Sequence, residues 1–255
     1  MGSKKFILKN YDIKVSIITV VWNNKETIEN AILSVLNQVY PNIEYIIVDG
    51  QSTDGTIEII NKYKDKIDKF ISEPDKGIYD GLNKGIKLAT GDIIAFLHSD
   101  DEYFSNDVIE KVVRKFQQNN SDGIYGDLIY VNEKDEIIRY WKSGEFSLEK
   151  LKKGWMPPHP ALFLKKEIYD KYGSFNLEYK IAADYDFILR VLKDNPKFSY
   201  IPEVLYKMRL GGASNKSIKN IIQKSKEDLR ALKNNNIGGI LTLMYKIPFF
   251  IKAVP

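Results

Sequence analysis

Ile93-Ile-Ala-Phe-Leu-His-Ser-Asp-Asp101 is an apolar run ending at Leu97, followed by a histidine, a serine and two adjacent carboxylates. The run is short and follows the turn signal Gly91-Asp92, so it reads as a buried strand with Asp100 and Asp101 at its carboxyl end. In an open α/β sheet that edge is where ligands bind, and paired hard oxygens there suit a divalent cation carrying phosphates. Ser-Asp-Asp is equally ordinary turn chemistry. The rest of the chain has to separate the two readings.

Upstream, Val15 to Val21 is β-branched and almost continuously apolar, as a strand buried on both faces of a parallel sheet would be. Ile28, Ala31, Ile32, Val35 and Leu36 then recur at helical spacing between Lys25 and Gln38. Glu44 to Val48 is the next apolar run. It ends at Asp49-Gly-Gln-Ser-Thr-Asp-Gly-Thr56, turn chemistry that supplies N-cap candidates for a helix carrying Ile57, Ile60 and Tyr63. A helix over 78–89, with Ile78, Leu82 and Ile86 four apart, stops at Gly91 and leads into the Ile93 strand. This alternation predicts parallel βαβ units and a sheet with helices on both faces. Three strands then deliver polar groups to one edge: Trp22-Asn23, Asp49 and Ser99-Asp100-Asp101.

The pattern changes after a helix near 106–118. Strand-like runs 123–131 and 137–141 flank Asn132-Glu-Lys-Asp-Glu136 as a hairpin, which adds an antiparallel part to the sheet. A Pro- and aromatic-rich loop, 154–161, precedes helices over 166–172 and 184–193, and Gly211-Gly-Ala-Ser214 reads as a flexible turn.

Composition narrows the classes. The chain has 255 residues, is 44% hydrophobic and contains no cysteine, so it can bury a sizeable core but has no disulfides, thiolate metal sites or cysteine nucleophile. The net charge of +4 is uneven: eight Lys or Arg against Glu227 and Asp228 give +6 from Lys216 onward, leaving 4 − 6 = −2 for the first 215 residues. A nucleic-acid binder more often spreads its charge over the folded domain, so none is expected as a partner. The absence of Gly-x-Gly-x-x-Gly after the first strand argues against a dinucleotide oxidoreductase. A nucleotidyltransferase would place a glycine-rich basic loop there, and Val20-Val-Trp-Asn23 is not one. The first ten residues hold only three consecutive apolar side chains, too few for a signal peptide, so a cytoplasmic protein is expected.

Taken in order, Val15-Ser-Ile-Ile-Thr-Val-Val-Trp-Asn23, Tyr45-Ile-Ile-Val-Asp-Gly-Gln-Ser-Thr-Asp-Gly-Thr56, Asp75-Lys-Gly-Ile-Tyr-Asp-Gly-Leu-Asn-Lys-Gly-Ile86 and 91–101 closely resemble the family 2 inverting glycosyltransferases. His159-Pro-Ala-Leu-Phe163, Ala183-Asp-Tyr-Asp-Phe187 and Gly211-Gly-Ala-Ser214 are similar to that family's acceptor-side motifs. The resemblance spans residues 14–214. It implies a glycosyltransferase A-type fold: a mixed, mainly parallel sheet with helices on both faces. The nucleotide-sugar half would cover about 14–105 and the acceptor half about 106–215, with 216–255 a helical, apolar appendage.

The resemblance also implies a nucleotide-sugar donor, with UDP favoured, and Mn2+ or Mg2+ as cofactor. Val20, Trp22 and Asn23 would border the nucleoside and Asp49 would bind the base, although Trp22 alone reads as core and Asp49 as a turn residue. Gly77 and Asn83 line the diphosphate or sugar pocket or merely start a helix. Many relatives carry an acidic residue where His98 stands. Asp101 is therefore the expected metal ligand, with Asp100 on ribose or the ion and His98 a packing residue, since hard cations prefer oxygen. Asp184 is the candidate general base, with an N-cap role as the alternative and Asp186 the rival carboxylate. Tyr125, Asp127, Trp155, His159 and Ser214 are candidates for the acceptor or diphosphate side. A glycan or lipid-linked acceptor in surface polysaccharide synthesis fits this set. A catalytically silent nucleotide-sugar-binding protein would share the fold; the presence of Asp49, Asp101 and Asp184 together favours an enzyme.

The stretch 237–255 is apolar but interrupted by Lys246, Pro248 and Lys252, so it falls short of the roughly 20 apolar residues that a span requires. An interfacial segment with lysines on anionic headgroups is expected, against a helix docked on the domain.

Overall fold

The computed structural model describes residues 12–210 and 218–251, with residues 218 and 247–251 as backbone only. Strands β1 (Val15–Val21), β2 (Ile43–Asp49), β3 (Lys69–Ser72) and β4 (Ile93–Phe96) alternate with helices α1 (Ile28–Leu36), α2 (Thr56–Asn61) and α3 (Ile78–Leu88). They form the parallel part of a nine-stranded sheet, in the order β3-β2-β1-β4. Register aligns Val21 with Asp49 and Ile18 with Phe96, so the three polar strand ends do meet at one edge.

The second half begins with β5 (Glu102–Tyr103) and α4 (Val108–Asn119). It continues through β6 (Gly123–Val131), β7 (Ile137–Trp141), α5 (Leu148–Lys152), β8 (Leu162–Lys165), α6 (Lys166–Tyr172), α7 (Ala183–Leu192) and β9 (Phe198–Arg209). The antiparallel strand β8 joins β4 to β6, and β7 pairs β6 as the expected hairpin. Strand β9 runs parallel to β6 with register shifts near Gly126 and was not foreshadowed by its sequence, where Pro202 interrupts any alternation.

Two apolar layers cover the sheet. One gathers α3, α7 and the inner face of α8 (Ile218–Asn234), the other α1 and α4. Helix α3 lies on β1 at backbone distance: a Cβ on Gly81 would stand 2.6 Å from Val20 Cγ1, and one on Gly85 would meet Ile18. This close approach brings the start of α3 over the polar edge.

The C-terminal helical appendage begins with α8. Its Ala231 and Leu232 are fully buried in the core layer. Helix α9 (Ile240–Ile251) docks beside it, with the Lys246 backbone so close to Gly154 that a Cβ there would stand 2.9 Å from Lys246 Cα. Lys246 was expected to face headgroups. It is instead buried, paired with Asp228 at 2.8 Å, and burial pulls its ammonium down to a pKa of about 7. Lys252 and Gly211 to Ser214 lie outside the described residues. Among the described residues no helix is long and apolar enough to cross a membrane.

Candidate active site

The polar edge is built by loops that tie the strand ends together. Asn23, in the left-handed region at φ 48°, donates its amide to Ser52 Oγ at 2.7 Å and accepts Thr53 N at 2.8 Å. Asn24 Nδ2 and Thr27 Oγ1 hold Ser99 at 2.9 and 2.8 Å, which fixes the turn carrying Asp100. Trp22 is 68% exposed at this edge, so it is no core residue. Val20 is buried, with its side chain against α3.

Asp49 is fully buried. Its Oδ2 accepts Ser52 N at 3.0 Å and Ser72 Oγ at 2.6 Å, while Oδ1 has no partner. Three more buried polar atoms at the same edge are unpaired: Asp101 Oδ2, His98 Nδ1 and His159 Nε2. Buried polar atoms are normally satisfied, so four orphans converging on one strand edge point to a ligand that satisfies them.

The two carboxylates of the Ser-Asp-Asp turn face different ways. Asp101 is 1% exposed, and its Oδ1 accepts Arg209 N at 2.9 Å. Burial, reinforced by the Asp100 charge, pushes its carboxyl pKa well above the ordinary range. Asp100 is half-exposed. Each offers an oxygen to a cation, Asp100 from the open side of the turn and Asp101 through its unpaired Oδ2. Among the described residues no cluster of three or more metal-ligating side chains occurs. A lone carboxylate still fits Mg2+ or Mn2+, which commonly take one or two protein oxygens and complete the shell with substrate phosphates and water.

The rings of His98 and His159 lie 6.4 Å apart between centroids, tilted by 40°. Burial lowers both imidazoles, His159 to about 4, so at neutral pH they are uncharged acceptors. The charge of Asp184 acts on both. Asp184 is half-exposed at the start of α7 but is not its cap, because Ala182 holds that position. Its Oδ1 lies 2.9 Å from the Tyr79 hydroxyl, which also reaches Ile181 O at 2.7 Å.

The residues of this edge lie within 16–175, the stretch matched by the family model "Glycosyl transferase family 2", apart from Asp184 just beyond it. The chain belongs to glycosyl transferase family 2. A PGL/p-HBAD biosynthesis glycosyltransferase of Mycobacterium bovis is 30% identical over 94% of this chain and 91% of its own length. The chondroitin synthase of Pasteurella multocida is 31% identical over 83% of this chain, a match that takes in 22% of the larger protein. Among solved structures, S. aureus TarS 1–349 in complex with UDP-GlcNAc superposes with TM-score 0.72 at 19% identity, covering 93% of this chain and 72% of that one. The mannosyltransferase PcManGT of Pyrobaculum calidifontis, in complex with GDP-Man and Mn2+, gives 0.64 at 16% identity, covering 94% and 70%. At these identities the likeness establishes the fold.

Several expected site residues of this glycosyltransferase have partners within the fold. Asn83 donates to Phe175 O at 2.8 Å and accepts Phe175 N at 2.9 Å, clamping α3 to the loop before α7. Gly77, at φ 110°, is the left-handed N-cap of α3. Tyr125 is fully buried with its hydroxyl on Gly144 O, and Trp155 packs against it and donates to Ser143 O at 2.8 Å. Asp127 is buried with both oxygens taken, by Ser143 N, Tyr200 Oη and Tyr140 Oη. Asp186 pairs Arg190 at 2.9 Å and Asn235 at 3.1 Å. Ser214 lies outside the described residues. Sequence reasoning gave no role to Tyr79, Ser52 or Ser72. The Tyr79–Asp184 contact spans 105 residues, and no local pattern carries it.

Proposed function

We propose that the chain is an inverting, metal-dependent glycosyltransferase that moves a sugar from a UDP-sugar to a hydroxyl of a glycan or lipid-linked acceptor in surface polysaccharide synthesis. One observation carries the reading: a half-exposed carboxylate, Asp184, is oriented by Tyr79 beside the strand edge where buried acceptors are left unpaired. The TarS complex with UDP-GlcNAc supports the choice of donor, and the Mn2+ complex of PcManGT supports the choice of cation.

In this reading Asp49 Oδ1 accepts an N–H of the base, and exposed Trp22 and Asn23 border the nucleoside. Asp184 takes the proton of the acceptor hydroxyl as its oxygen bonds to the anomeric carbon, and the bond to the diphosphate breaks with its electron pair leaving on UDP. A single displacement inverts the anomeric centre. Asp100, on the open side of the turn, would hold Mg2+ or Mn2+, and the bound cation would supply the positive charge that offsets the negative charge developing on the leaving diphosphate, in place of a general acid. The same cation would relieve the burial and like-charge penalty on Asp101. Neutral His98 and His159 offer Nδ1 and Nε2 to sugar or acceptor hydroxyls.

Peripheral membrane contact belongs to the same proposal. Ile240, Leu241, Met244 and Tyr245 form an outward α9 face, each at least 60% exposed, on the basic end of the chain. Such a face suits the lipid boundary. Sedimentation with anionic liposomes that Leu241→Glu, Met244→Glu does not weaken would exclude it.

A panel of nucleotide sugars assayed for Mn2+-dependent UDP release tests the chemistry. Turnover of one UDP-sugar that chelation abolishes is the expected result; no turnover of any donor in the panel contradicts it.

A further inference from the structure

The segment that carries Asp184 is held by α8. No side chain of α7 caps its own start. Glu227 of α8, 5% exposed, does so instead: its carboxylate accepts Lys180 N at 3.2 Å, Ile181 N at 2.8 Å and Ala182 N at 3.0 Å, and Gln223 Nε2 donates to it at 2.7 Å. A carboxylate at a helix start is favoured both as a hydrogen-bond acceptor and by the helix dipole. Two further grips flank the same segment. Asn235 donates to Asp186, and Lys246, paired with Asp228, places its ammonium 3.1 Å from the centre of the Tyr185 ring. Residues 180–182, 185 and 186 are thus held from α8 and α9, while Tyr79 holds Asp184 and Ile181 from α3. Asp184 itself makes no hydrogen bond to α8, so α8 reaches it through the backbone of 180–182 and through Tyr79, on which the Glu227 charge also acts.

We propose that Glu227 is a positioning residue for glycosyl transfer. It fixes the main chain from Lys180 to Ala182 and so sets where the Asp184 carboxylate meets the acceptor hydroxyl, which makes α8 part of the catalytic centre. The proposal rests on Asp184 being the base. Its physical content is a fork of three main-chain donors that only an acceptor with two oxygens can serve. An amide keeps one oxygen and turns a competing N–H toward the fork. A displacement of about 1 Å in a catalytic group can cost on the order of 10²-fold in rate, so a small loosening here is visible in turnover.

The test uses the full chain and the nucleotide sugar of the panel above with the fastest Mn2+-dependent turnover. Glu227→Gln is expected to lower kcat roughly 10- to 100-fold. The dissociation constant for UDP with Mn2+, by calorimetry, should stay within about twofold at full binding stoichiometry, because a positioning defect leaves donor binding intact. In the Asp184→Asn background the same substitution should cost nothing further, since it acts through Asp184. An unchanged kcat in folded Glu227→Gln overturns the proposal, as does an equal loss in the Asp184→Asn background, or a loss of kcat that merely tracks a lower stoichiometry of UDP binding. If Glu227→Gln does not fold, exposed Gln223→Ala removes the side chain that steadies Glu227. A several-fold fall in kcat at unchanged UDP affinity supports the proposal, and unchanged kcat overturns it. Full turnover by Asp184→Asn alone is a separate result, and it would refute the base assignment.

Discussion

Asp49 and Asp127 are both buried aspartates on strands of the same sheet, and they are used in opposite ways. Asp127 spends both oxygens on Ser143, Tyr140 and Tyr200, and so pins the β6–β7 hairpin to β9. Asp49 spends one oxygen on Ser52 and Ser72, a bond pattern that fixes its orientation, and keeps the other unpaired. The same contrast separates the regions around them. At the edge of β1, β2 and β4, Asp101, His98 and His159 each retain an unsatisfied atom, whereas Trp155, Asn83 and Asp186 have structural partners. Burial therefore does not mark the site in this fold, and neither does a single unspent atom, since Tyr103 Oη, Tyr185 Oη and Asp228 Oδ1 are unpaired elsewhere. The mark is several unspent atoms at the ends of neighbouring strands.

The largest effect that can break this comparison is at Asp184. Asp184→Asn should lower turnover by ~10²- to 10⁴-fold, the usual worth of a general base, with UDP affinity unchanged in calorimetry. Next comes acid stability. His159 is held neutral by burial, with its pKa lowered from 6.5 to about 4, so between those values the unfolded chain binds a proton that the folded one does not. Stability then rises with pH across that window and is lost on acidification, by ~3 kcal/mol for this group. Urea midpoints measured from pH 7 to 4 should fall less steeply in His159→Gln; parallel curves would remove His159 as the cause.

Asp127→Ala sharpens the comparison from the structural side. It strands Ser143 N and the Tyr200 hydroxyl in the core, for a loss of about 2–3 kcal/mol in chemical denaturation. The variant that remains folded should bind UDP as before, and weakened binding would return Asp127 to the site. The smallest effect is at Asp49. Asp49→Asn preserves shape and should weaken UDP about tenfold, the worth of one charge-assisted hydrogen bond, while stability changes little.

The parallel half of the fold was legible because Val15–Val21, Glu44–Val48 and Ile93–Leu97 are β-branched, apolar runs separated by helical spacing and turn signals. Strand β9 was not, since Pro202 and its register shifts erase the alternation that marks a half-buried strand. In the candidate site, Asp49, Trp22 and Asp184 could be proposed from their place after strands and before a helix. The split between Asp100 and Asp101 could not, because the way the turn directs each carboxylate is set by Asn24, Thr27 and Arg209, remote in sequence. The partners of Tyr125, Asp127 and Trp155 within the fold were hidden for a related reason: a polar or aromatic side chain looks the same in sequence whether its partner is a ligand or Ser143. The role of α8 was hidden because Glu227 meets residues 180–182 across more than forty positions, with no periodicity linking them.

The central claim is that the unspent atoms at the strand edge are the donor site. A crystal structure of the full chain with UDP and Mn2+ tests it most directly. The account predicts the base hydrogen-bonded to Asp49 Oδ1, the cation bridging Asp100 and the diphosphate, and Asp184 facing the position of the missing sugar. A nucleotide bound elsewhere, with Asp49 Oδ1 and the other unspent atoms of this edge still unpaired, would contradict it.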